Sequence, residues 1–346
     1  MSKTGETFIS LYRKYRPASF SDVIGQEQVV SVLEQSIKQG KLAHAYLFCG
    51  SRGTGKTSIA RIFAKAIGTT TNDLYEIDAA SNTSVEDIRQ LNEAVNTIPF
   101  ESTYKVYILD EVHMLSKSAF NAFLKTLEEP PKHVIFILAT TEMEKLPDTI
   151  VSRCQTFVFK KPTAEMLKDV VADISKKEGV KMEGAAAELV ALLGDGSFRD
   201  TLSILQKVVT LSTDKAITLD EVEKVTGAPK SSLVLSFVEA VANKDVPGAL
   251  NTLSNASAEH IDMKVYNKLV LARLRYLLLR LAAPAVATAE ASTGIFTSDE
   301  LKRLDALKVD QTYLVKVLYS FLDAGQQIGK SHISTLPLEL AVSKLS

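Results

Sequence analysis

The sequence predicts an α/β domain with a mostly parallel sheet, followed by a small helical domain and a second all-helical domain. Before Pro162, short runs of β-branched and aromatic residues alternate with helical stretches, and beyond it the strand signal disappears. Continuous apolar runs between helices are typical of strands that are buried on both faces. Because a chain of 346 residues exceeds what one ordinary core accommodates, we expect two or three domains.

The three expected domains occupy residues 1–161, 162–227 and 228–346. In the small helical domain, Thr218 and Glu221 have the spacing of a capping box, and Gly227 is expected to end that helix. In the last domain, the Ala/Ser/Thr-rich segment 282–294 is predicted to be an exposed loop. The strands of the first domain are expected at residues 45–50, 74–80, 105–111, 134–141 and 155–159.

Composition and charge exclude several classes of protein. The chain is 46% hydrophobic and carries 40 basic and 41 acidic residues, so no global field attracts it to nucleic acid. Its two cysteines, Cys49 and Cys154, form no CxxC pair, and we expect small buried residues in a reducing cytosol. The most hydrophobic segment carries Arg273, Arg275 and Arg280, which argues against a membrane helix. We expect a cytoplasmic protein.

The stretch GSRGTGKT fits the phosphate-binding pattern G-x-x-x-x-G-K-[ST] between a predicted strand and a predicted helix. Glycines let backbone N–H groups close around phosphate oxygens, and the helix N-terminus adds partial positive charge. Lys56 is expected to contact the β- and γ-phosphates and Thr57 to ligate Mg²⁺, so ATP and Mg²⁺ are the expected ligands. The loop residues expected around the nucleotide are Gly50, Ser51, Arg52, Gly53, Thr54, Gly55, Lys56, Thr57 and Ser58.

Two adjacent acids end the hydrophobic segment VYILDE. Asp110 is expected to hold Mg²⁺, directly or through water, and Glu111 to orient and deprotonate the attacking water. A second acid favours hydrolysis over binding alone. The tetrapeptide DEVH is also compatible with a helicase of the DExH type. Such enzymes need a second domain of the same sheet type, however, and the rest of this chain is helical.

Three further segments follow these motifs. ILATT ends an apolar strand in two threonines, IVSRCQTF places Arg153 before a strand, and GSFRD places Arg199 at the start of a helix. With YRKYRPASFSDVIGQE, ILDEVHMLS and FLKTLEEPP, they make the chain resemble the clamp-loader branch of the AAA+ ATPases. The resemblance is strong over residues 8–225 and rests on helical character alone thereafter.

The resemblance implies an AAA+ P-loop domain, a helical lid and an all-α collar domain that holds a ring of subunits together. It implies that Arg153 is an arginine finger for ATP on the neighbouring subunit and that Arg199 contacts the nucleotide in cis. Thr141 (or Thr140) would be the sensor at the strand end. The segments LYRKYRP and DVIGQE, which contain Arg16, Pro17 and Ile24, are implied to flank the adenine.

As a function, the resemblance implies the ATPase motor subunit of a bacterial replicative clamp loader within the DNA polymerase III holoenzyme. The implied partners are delta- and delta-prime-type subunits, further copies of the chain, the sliding clamp and primer–template DNA, with no membrane. ATP binding would favour clamp opening, and hydrolysis would release the closed clamp on DNA. The helix at residues 116–129 would lie toward the clamp.

One segment departs from the family pattern. The usual member carries a four-cysteine zinc module after the phosphate-loop helix, whereas AKAIGTTTNDLYEID contains no cysteine, so we expect no zinc. The chain ends at Ser346, and we expect either a short form of the subunit or a trimmed version of a longer one.

A contact with DNA is predicted at the start of the helix in SNTSVEDIR. Asn82, Thr83 and Ser84 can donate hydrogen bonds to phosphates, and Lys117 can join them. A run of Ser, Asn and Thr is explained equally well by helix initiation.

Two alternative functions remain open. One is a nucleotide-binding scaffold that uses ATP for assembly without turnover, against which Glu111 argues. The other is a different AAA+ DNA remodeller, such as a branch-migration motor or a eukaryotic-type clamp-loader small subunit. The segments LEEPP and DEVH favour the bacterial replicative interpretation.

Overall fold

The computed structural model describes residues 9–212, 216–292, 296 and 298–345. The chain forms two compact units. The first contains the residues up to Leu167 together with Gly194–Ser203, and the second contains Lys168–Leu193 together with Ile204–Ser346. The domain boundaries at residues 161 and 227 stay a prediction.

The first unit is built on a parallel five-stranded sheet, as predicted. The strand order is β2-β3-β4-β1-β5, so the strand that precedes the glycine-rich loop is flanked on both sides. The strands are β1 (Ala45–Cys49), β2 (Leu74–Asp78), β3 (Lys105–Asp110), β4 (Val134–Thr140) and β5 (Gln155–Val158).

Helices cover both faces of this sheet because successive strand residues point to opposite sides. Ala45, Leu47 and Cys49 join one core with α4, α5 and α6, while Tyr46 and Phe48 join the other core with α2 and α3. The helices before residue 163 are α1 (Leu11–Lys14), α2 (Glu27–Lys38), α3 (Lys56–Ala66), α4 (Val85–Ala94), α5 (Lys117–Glu128) and α6 (Asp148–Val151).

The remainder of the described chain is helical apart from one short strand pair. Residues Lys181–Met182 (β6) and Ala216–Ile217 (β7) pair in parallel, which the sequence did not reveal. The helices between residues 164 and 226 are α7 (Ala164–Lys177), α8 (Gly184–Leu193), α9 (Phe198–Leu211) and α10 (Leu219–Thr226). The C-terminal helices are α11 (Ser231–Ala242), α12 (Val246–Ala258), α13 (Met263–Ala282), α14 (Pro284–Ser292), α15 (Ser298–Ala306), α16 (Gln311–Gln327) and α17 (Leu336–Ser343).

The capping prediction for α10 is confirmed, and the loop prediction for residues 282–294 is wrong. The Thr218 hydroxyl accepts from the Glu221 amide, the Glu221 carboxylate accepts from the Thr218 amide, and Gly227 has a left-handed φ of 68°. In contrast, α14 occupies most of the supposed loop, because alanine favours helix and Pro284 suits a first helical position. Residues 293 and 294 of that prediction lie outside the described residues.

Both cysteines are free thiols packed into the first unit. Burial raises the pKa of Cys49 to about 11 and that of Cys154 to about 12, so neither is activated as a thiolate. Within the described ranges, no helix is both long enough and apolar enough to cross a membrane.

Candidate functional site

The predicted nucleotide motifs meet at one edge of the sheet. Cys49 pairs with Thr140 on β4, and Asp78 pairs with Asp110, so the strands end side by side. In open parallel sheets, ligands bind outside the carboxyl ends of the strands. The glycine-rich loop, the two acids and the two threonines therefore share this edge.

The glycine-rich loop runs from β1 into α3 with three left-handed glycines. The φ angles of Gly50, Gly53 and Gly55 are 150°, 74° and 101°. A Cβ on Gly50 would lie 2.6 Å from the Phe159 carbonyl oxygen, so a side chain there would collide with backbone. Within the loop, the Thr54 hydroxyl donates to the Ser51 carbonyl at 2.9 Å. Ser58 follows in the first turn of α3.

Lys56 and Thr57 begin α3 and face the loop and β3. The Lys56 side chain is almost completely buried, and its ammonium donates to the carbonyls of Gly50 (2.7 Å) and Ser51 (3.0 Å). Burial lowers the pKa of Lys56, while the neighbouring Glu111 and Asp110 carboxylates act in the opposite direction. The ammonium is thus held over the loop, the position from which a lysine binds phosphates.

The pair Thr57 and Asp110 fits Mg²⁺. The Thr57 hydroxyl donates to the Asp110 carboxylate at 2.6 Å, which joins two oxygen ligands of the type Mg²⁺ prefers. These two side chains would hold the ion, and when bound it would neutralise phosphate charge. Among the described residues, no group of three or more His, Cys, Asp or Glu side chains could hold a metal. The expectation of no zinc stays a prediction.

Glu111 is held by its backbone and by Thr141. Its backbone is left-handed, with φ 50° and ψ 44°, and its amide donates to the Asp110 carboxylate at 3.0 Å. The Thr141 hydroxyl donates to the Glu111 carboxylate at 3.0 Å. Thr140 is fully buried and turns to His113 instead, at 3.0 Å. Of the two threonines, Thr141 is therefore the one that contacts Glu111.

An open cavity of about 740 Å³ lies beside the phosphate loop in the first unit. Burial, together with the nearby Arg61 guanidinium, lowers the pKa of Arg16 in this cavity. The start of α9 is fixed to the loop, because the Phe198 amide donates to the Gly53 carbonyl at 3.0 Å. The lining residues are Tyr12, Arg13, Arg16, Arg52, Arg61, Arg199, Asp200 and Ser203.

The predicted adenine contacts are brought together only in part. Arg16, one of the residues implied to flank the adenine, lines the cavity. Arg52 of the phosphate loop and Arg199, which was implied to contact the nucleotide in cis, line it as well, and this cluster of arginines suits a polyanionic ligand. Pro17 and Ile24 do not belong to the lining described for it, and Ile24 is 46% exposed.

Arg153 lies away from the phosphate loop of its own chain. It precedes β5, whose first residue Gln155 pairs with Tyr46 and whose last residue Val158 pairs with Cys49. Arg153 and Cys154 lie in the turn before β5, whose 4 residues span roughly 10 Å at ~3.3 Å per strand residue. The guanidinium pairs with Glu128 and donates to the Thr149 carbonyl. Arg153 therefore sits at the opposite edge of the sheet from the Lys56 site.

The residues proposed for DNA contact lie where α4 and α5 begin. The Ser84 hydroxyl caps α4 in a capping box with Asp87, which confirms the helix-initiation interpretation of that residue. Asn82 donates to the Asp78 carbonyl. The Ser116 amide donates to the Thr83 carbonyl at 3.3 Å, which brings the exposed Lys117 next to this segment. A role in DNA binding stays a prediction.

Sequence reasoning missed several residues that the fold brings to these positions. Arg61 lines the cavity, and Glu128 holds Arg153. Tyr12 and Arg13 also line the cavity, but they belong to the segment LYRKYRP that was expected beside the adenine. His113 is the last residue of the DEVH motif, but the sequence gives no indication that it contacts Thr140 and Glu142 at the end of β4. Their proximity arises only from the pairing of β3 with β4.

Comparisons with known proteins identify relatives in bacterial DNA replication. The sequence model of the family "DNA polymerase III, delta subunit" matches residues 25–74 and 68–163. DNA polymerase III subunit gamma of Buchnera aphidicola is 38% identical over 275 residues, covering 73% of this chain and 74% of that protein. DNA polymerase III subunit tau of Bacillus subtilis is 38% identical over 354 residues, covering 94% of this chain and 60% of that protein.

This chain is shorter than most of those relatives. It spans 60% of the Bacillus subtilis tau subunit and 42% of the Escherichia coli tau subunit, to which it is 41% identical over 273 residues. Among solved structures, the Thermotoga maritima RuvB Holliday junction branch migration motor is 23% identical, with a TM-score of 0.52 over 66% of this chain and 79% of that one. At this identity the likeness shows the fold alone, which is the AAA+ fold.

Proposed function

The chain belongs to the DNA polymerase III gamma/tau subunit family, and from that premise we propose that it is the ATP-hydrolysing motor subunit of a bacterial replicative clamp loader. It works in the cytoplasm with delta- and delta-prime-type subunits, further copies of itself, the sliding clamp and primer–template DNA. Its domains are an AAA+ domain (1–161), a lid (162–227) and a collar (228–346). The proposal also assigns contacts with the phosphate backbone of the DNA to Asn82, Thr83, Ser84 and Lys117.

The observation that carries this proposal is the pairing of two catalytic functions at one strand end. The Asp110 carboxylate accepts from the Thr57 hydroxyl, and the next residue, Glu111, is held by Thr141. The first pair provides metal ligands, and the second provides a general base for water. A scaffold that binds ATP without turnover needs the first pair but has no need for an oriented Glu111.

The position of Arg153 supports hydrolysis that depends on a neighbour. A guanidinium that stabilises charge on the transferred phosphoryl group accelerates hydrolysis by roughly 10³- to 10⁵-fold. Arg153 lies at the far edge of the sheet from its own Lys56, so it serves the ATP of an adjacent subunit. Assembly with clamp and primed DNA then acts as the trigger, because only the correctly closed ring aligns the finger.

The first experiment measures phosphate release by the chain alone and by the chain with its partner subunits, clamp and primed DNA. We expect weak hydrolysis alone and strong stimulation in the full mixture. An absence of stimulation would end the clamp-loader proposal, and an absence of any hydrolysis would favour the scaffold. Strand-displacement and branch-migration assays test the other AAA+ remodellers.

The second experiment replaces the finger. Arg153→Ala should leave the Kd for ATP within about twofold and reduce stimulated hydrolysis by at least ~10³-fold, because the guanidinium acts on charge that develops during phosphoryl transfer. Arg303→Ala is the matched control, since Arg303 also pairs with a glutamate, Glu239. Normal stimulated hydrolysis by Arg153→Ala would refute the finger role.

A further inference from the structure

His113 lies behind the catalytic strand ends and contacts three oxygen atoms. Its side chain is 6% exposed. Nδ1 lies 3.0 Å from the Thr140 hydroxyl and 3.6 Å from the Glu111 carboxylate, and Nε2 lies 3.1 Å from the Glu142 carboxylate. A nearly buried imidazole with both nitrogens engaged is fixed in place rather than free to rotate.

The turn after β4 closes the same network. The Glu142 amide donates to the Thr140 hydroxyl oxygen at 3.0 Å, and the Glu142 carboxylate also pairs with the exposed Lys145 at 2.8 Å. Nδ1 and the Thr140 hydroxyl share a hydrogen bond, and the same hydroxyl oxygen accepts from the Glu142 amide, while Nε2 lies within ion-pair distance of the Glu142 carboxylate. The three residues thus form a closed set of polar contacts.

These contacts hold the residues on both sides of Thr141. Thr140 is hydrogen-bonded to His113, the Glu142 carboxylate lies 3.1 Å from Nε2, and Thr141 between them donates to the Glu111 carboxylate at 3.0 Å. The Glu111 side chain is 32% exposed, so packing alone does not fix its orientation. Its direction depends on the Thr141 hydroxyl, and the position of that hydroxyl depends on the turn.

We infer that His113 is a positioning residue for Glu111, acting through Thr140, Glu142 and the hydroxyl of Thr141. The inference rests on the proposed ATP hydrolysis, in which Glu111 deprotonates the attacking water. Small displacements of a general base reduce the rate of the chemical step while leaving ground-state binding unchanged.

The kinetic test compares variants in the full chain with its partner subunits, clamp and primed DNA. His113→Ala should lower kcat by roughly 10-fold or more and leave the Kd for ATP within about twofold. His113→Gln, whose amide can still reach Glu142, should recover part of the loss. His133→Ala is the matched control, because the described hydrogen bonds of the His133 ring go to the Val95 and Thr97 carbonyls, away from Glu111. It should lower Tm without lowering kcat.

A double-mutant cycle separates positioning from a general loss of stability. Thr141→Val removes the hydroxyl on which the inference depends, so its effect on kcat should overlap with that of His113→Ala instead of multiplying with it. Independent, multiplying effects would overturn the inference, as would a normal kcat for His113→Ala.

A readout that needs no hydrolysis distinguishes this inference from the proposed function. In protein labelled with ¹⁵N-histidine, the imidazole signal that disappears in His113→Gln belongs to His113. We expect its Nε2 proton to exchange slowly with water and to exchange faster in Glu142→Ala. Rapid exchange in the wild type would overturn the inference whatever the activity. A protected proton in a protein that never hydrolyses ATP would instead contradict the proposed function.

Discussion

At the scale of single residues, the phosphate loop depends on an absent side chain at Gly53. A Cβ there would lie 2.0 Å from the Ser197 hydroxyl oxygen, and the φ of 74° already disfavours other residues. The same glycine accepts the Phe198 amide through its carbonyl. The loop therefore approaches the start of α9, which carries Arg199, more closely than any larger residue permits.

Gly53→Ala should weaken ATP binding and lower Tm, because a left-handed alanine costs on the order of 1–3 kcal/mol and the clash adds to it. Isothermal titration with ATP and thermal unfolding measure the two effects. Adding Ser197→Gly should recover much of the loss by removing the colliding atom. Gly40→Ala is the control, with a φ of 64° but nothing within 4 Å of the added Cβ. Equal ATP affinity for all variants would contradict this account of the loop.

At the scale of helices, α8 buries the carboxyl group of Glu188, whose ionisation near neutral pH lowers the stability of the folded protein. Burial raises the pKa of Glu188 from 4.5 to about 7, although Lys168 lies 3.3 Å away and favours the carboxylate. The folded state therefore holds the proton more tightly than the unfolded chain. This contribution to stability is fully present below about pH 4.5 and is lost as the pH rises through about 7.

Glu188→Gln should remove that pH dependence, because the amide mimics the protonated acid. The Tm of the wild type, measured relative to that of Glu188→Gln, should fall between pH 5 and pH 8. Glu165→Gln, at an exposed acid on α7, should leave the wild-type trend unchanged. A constant difference between wild type and Glu188→Gln would contradict the buried-acid explanation.

The elements that the sequence predicts well are those with local causes. The five predicted apolar runs form the five strands of the sheet, and Thr218 and Glu221 cap α10 as predicted. Both predictions succeed because run length and cap spacing are properties of residues that are close in the sequence. The loop predicted for segment 282–294 is wrong, because its Ser and Thr residues suggested a loop whereas its alanine content favours a helix. The pair β6 and β7 joins residues 181 and 216, a separation at which a two-residue strand leaves no sequence signal.

The site divides in the same way. Lys56, Thr57, Asp110 and Glu111 were readable because phosphate and Mg²⁺ chemistry requires those residue types at fixed spacing. The partners of His113 were not, because they depend on which strands are neighbours. The segment AKAIGTTTNDLYEID shows a further example. Burial acts to raise the pKa of Asp73, but the amides of Glu101, Phe100 and Ser102 hold it at about 2.

At the scale of the whole molecule, the proposed finger role of Arg153 predicts complementation between two inactive proteins. Arg153→Ala retains a complete Glu111 site, and Glu111→Gln retains Arg153. Mixed in one complex with clamp and primed DNA, they should regain a measurable part of the stimulated hydrolysis, because some junctions combine the intact halves. Phosphate release by the mixture, compared with each protein alone, measures this.

A chain carrying both substitutions is the control for that mixture and should restore nothing when combined with either single variant. If Arg153 acted on its own chain, the mixture would show no more hydrolysis than the sum of its components.

If Arg153 completes the site of a neighbouring chain, as proposed, its placement at the amino ends of the strands has an arithmetical consequence for any assembly of such chains. Competent centres are then counted by contacts between neighbours and not by polypeptides. An open arc of these chains would hold one fewer competent centre than members, unless a different protein at its end contributes the missing cation.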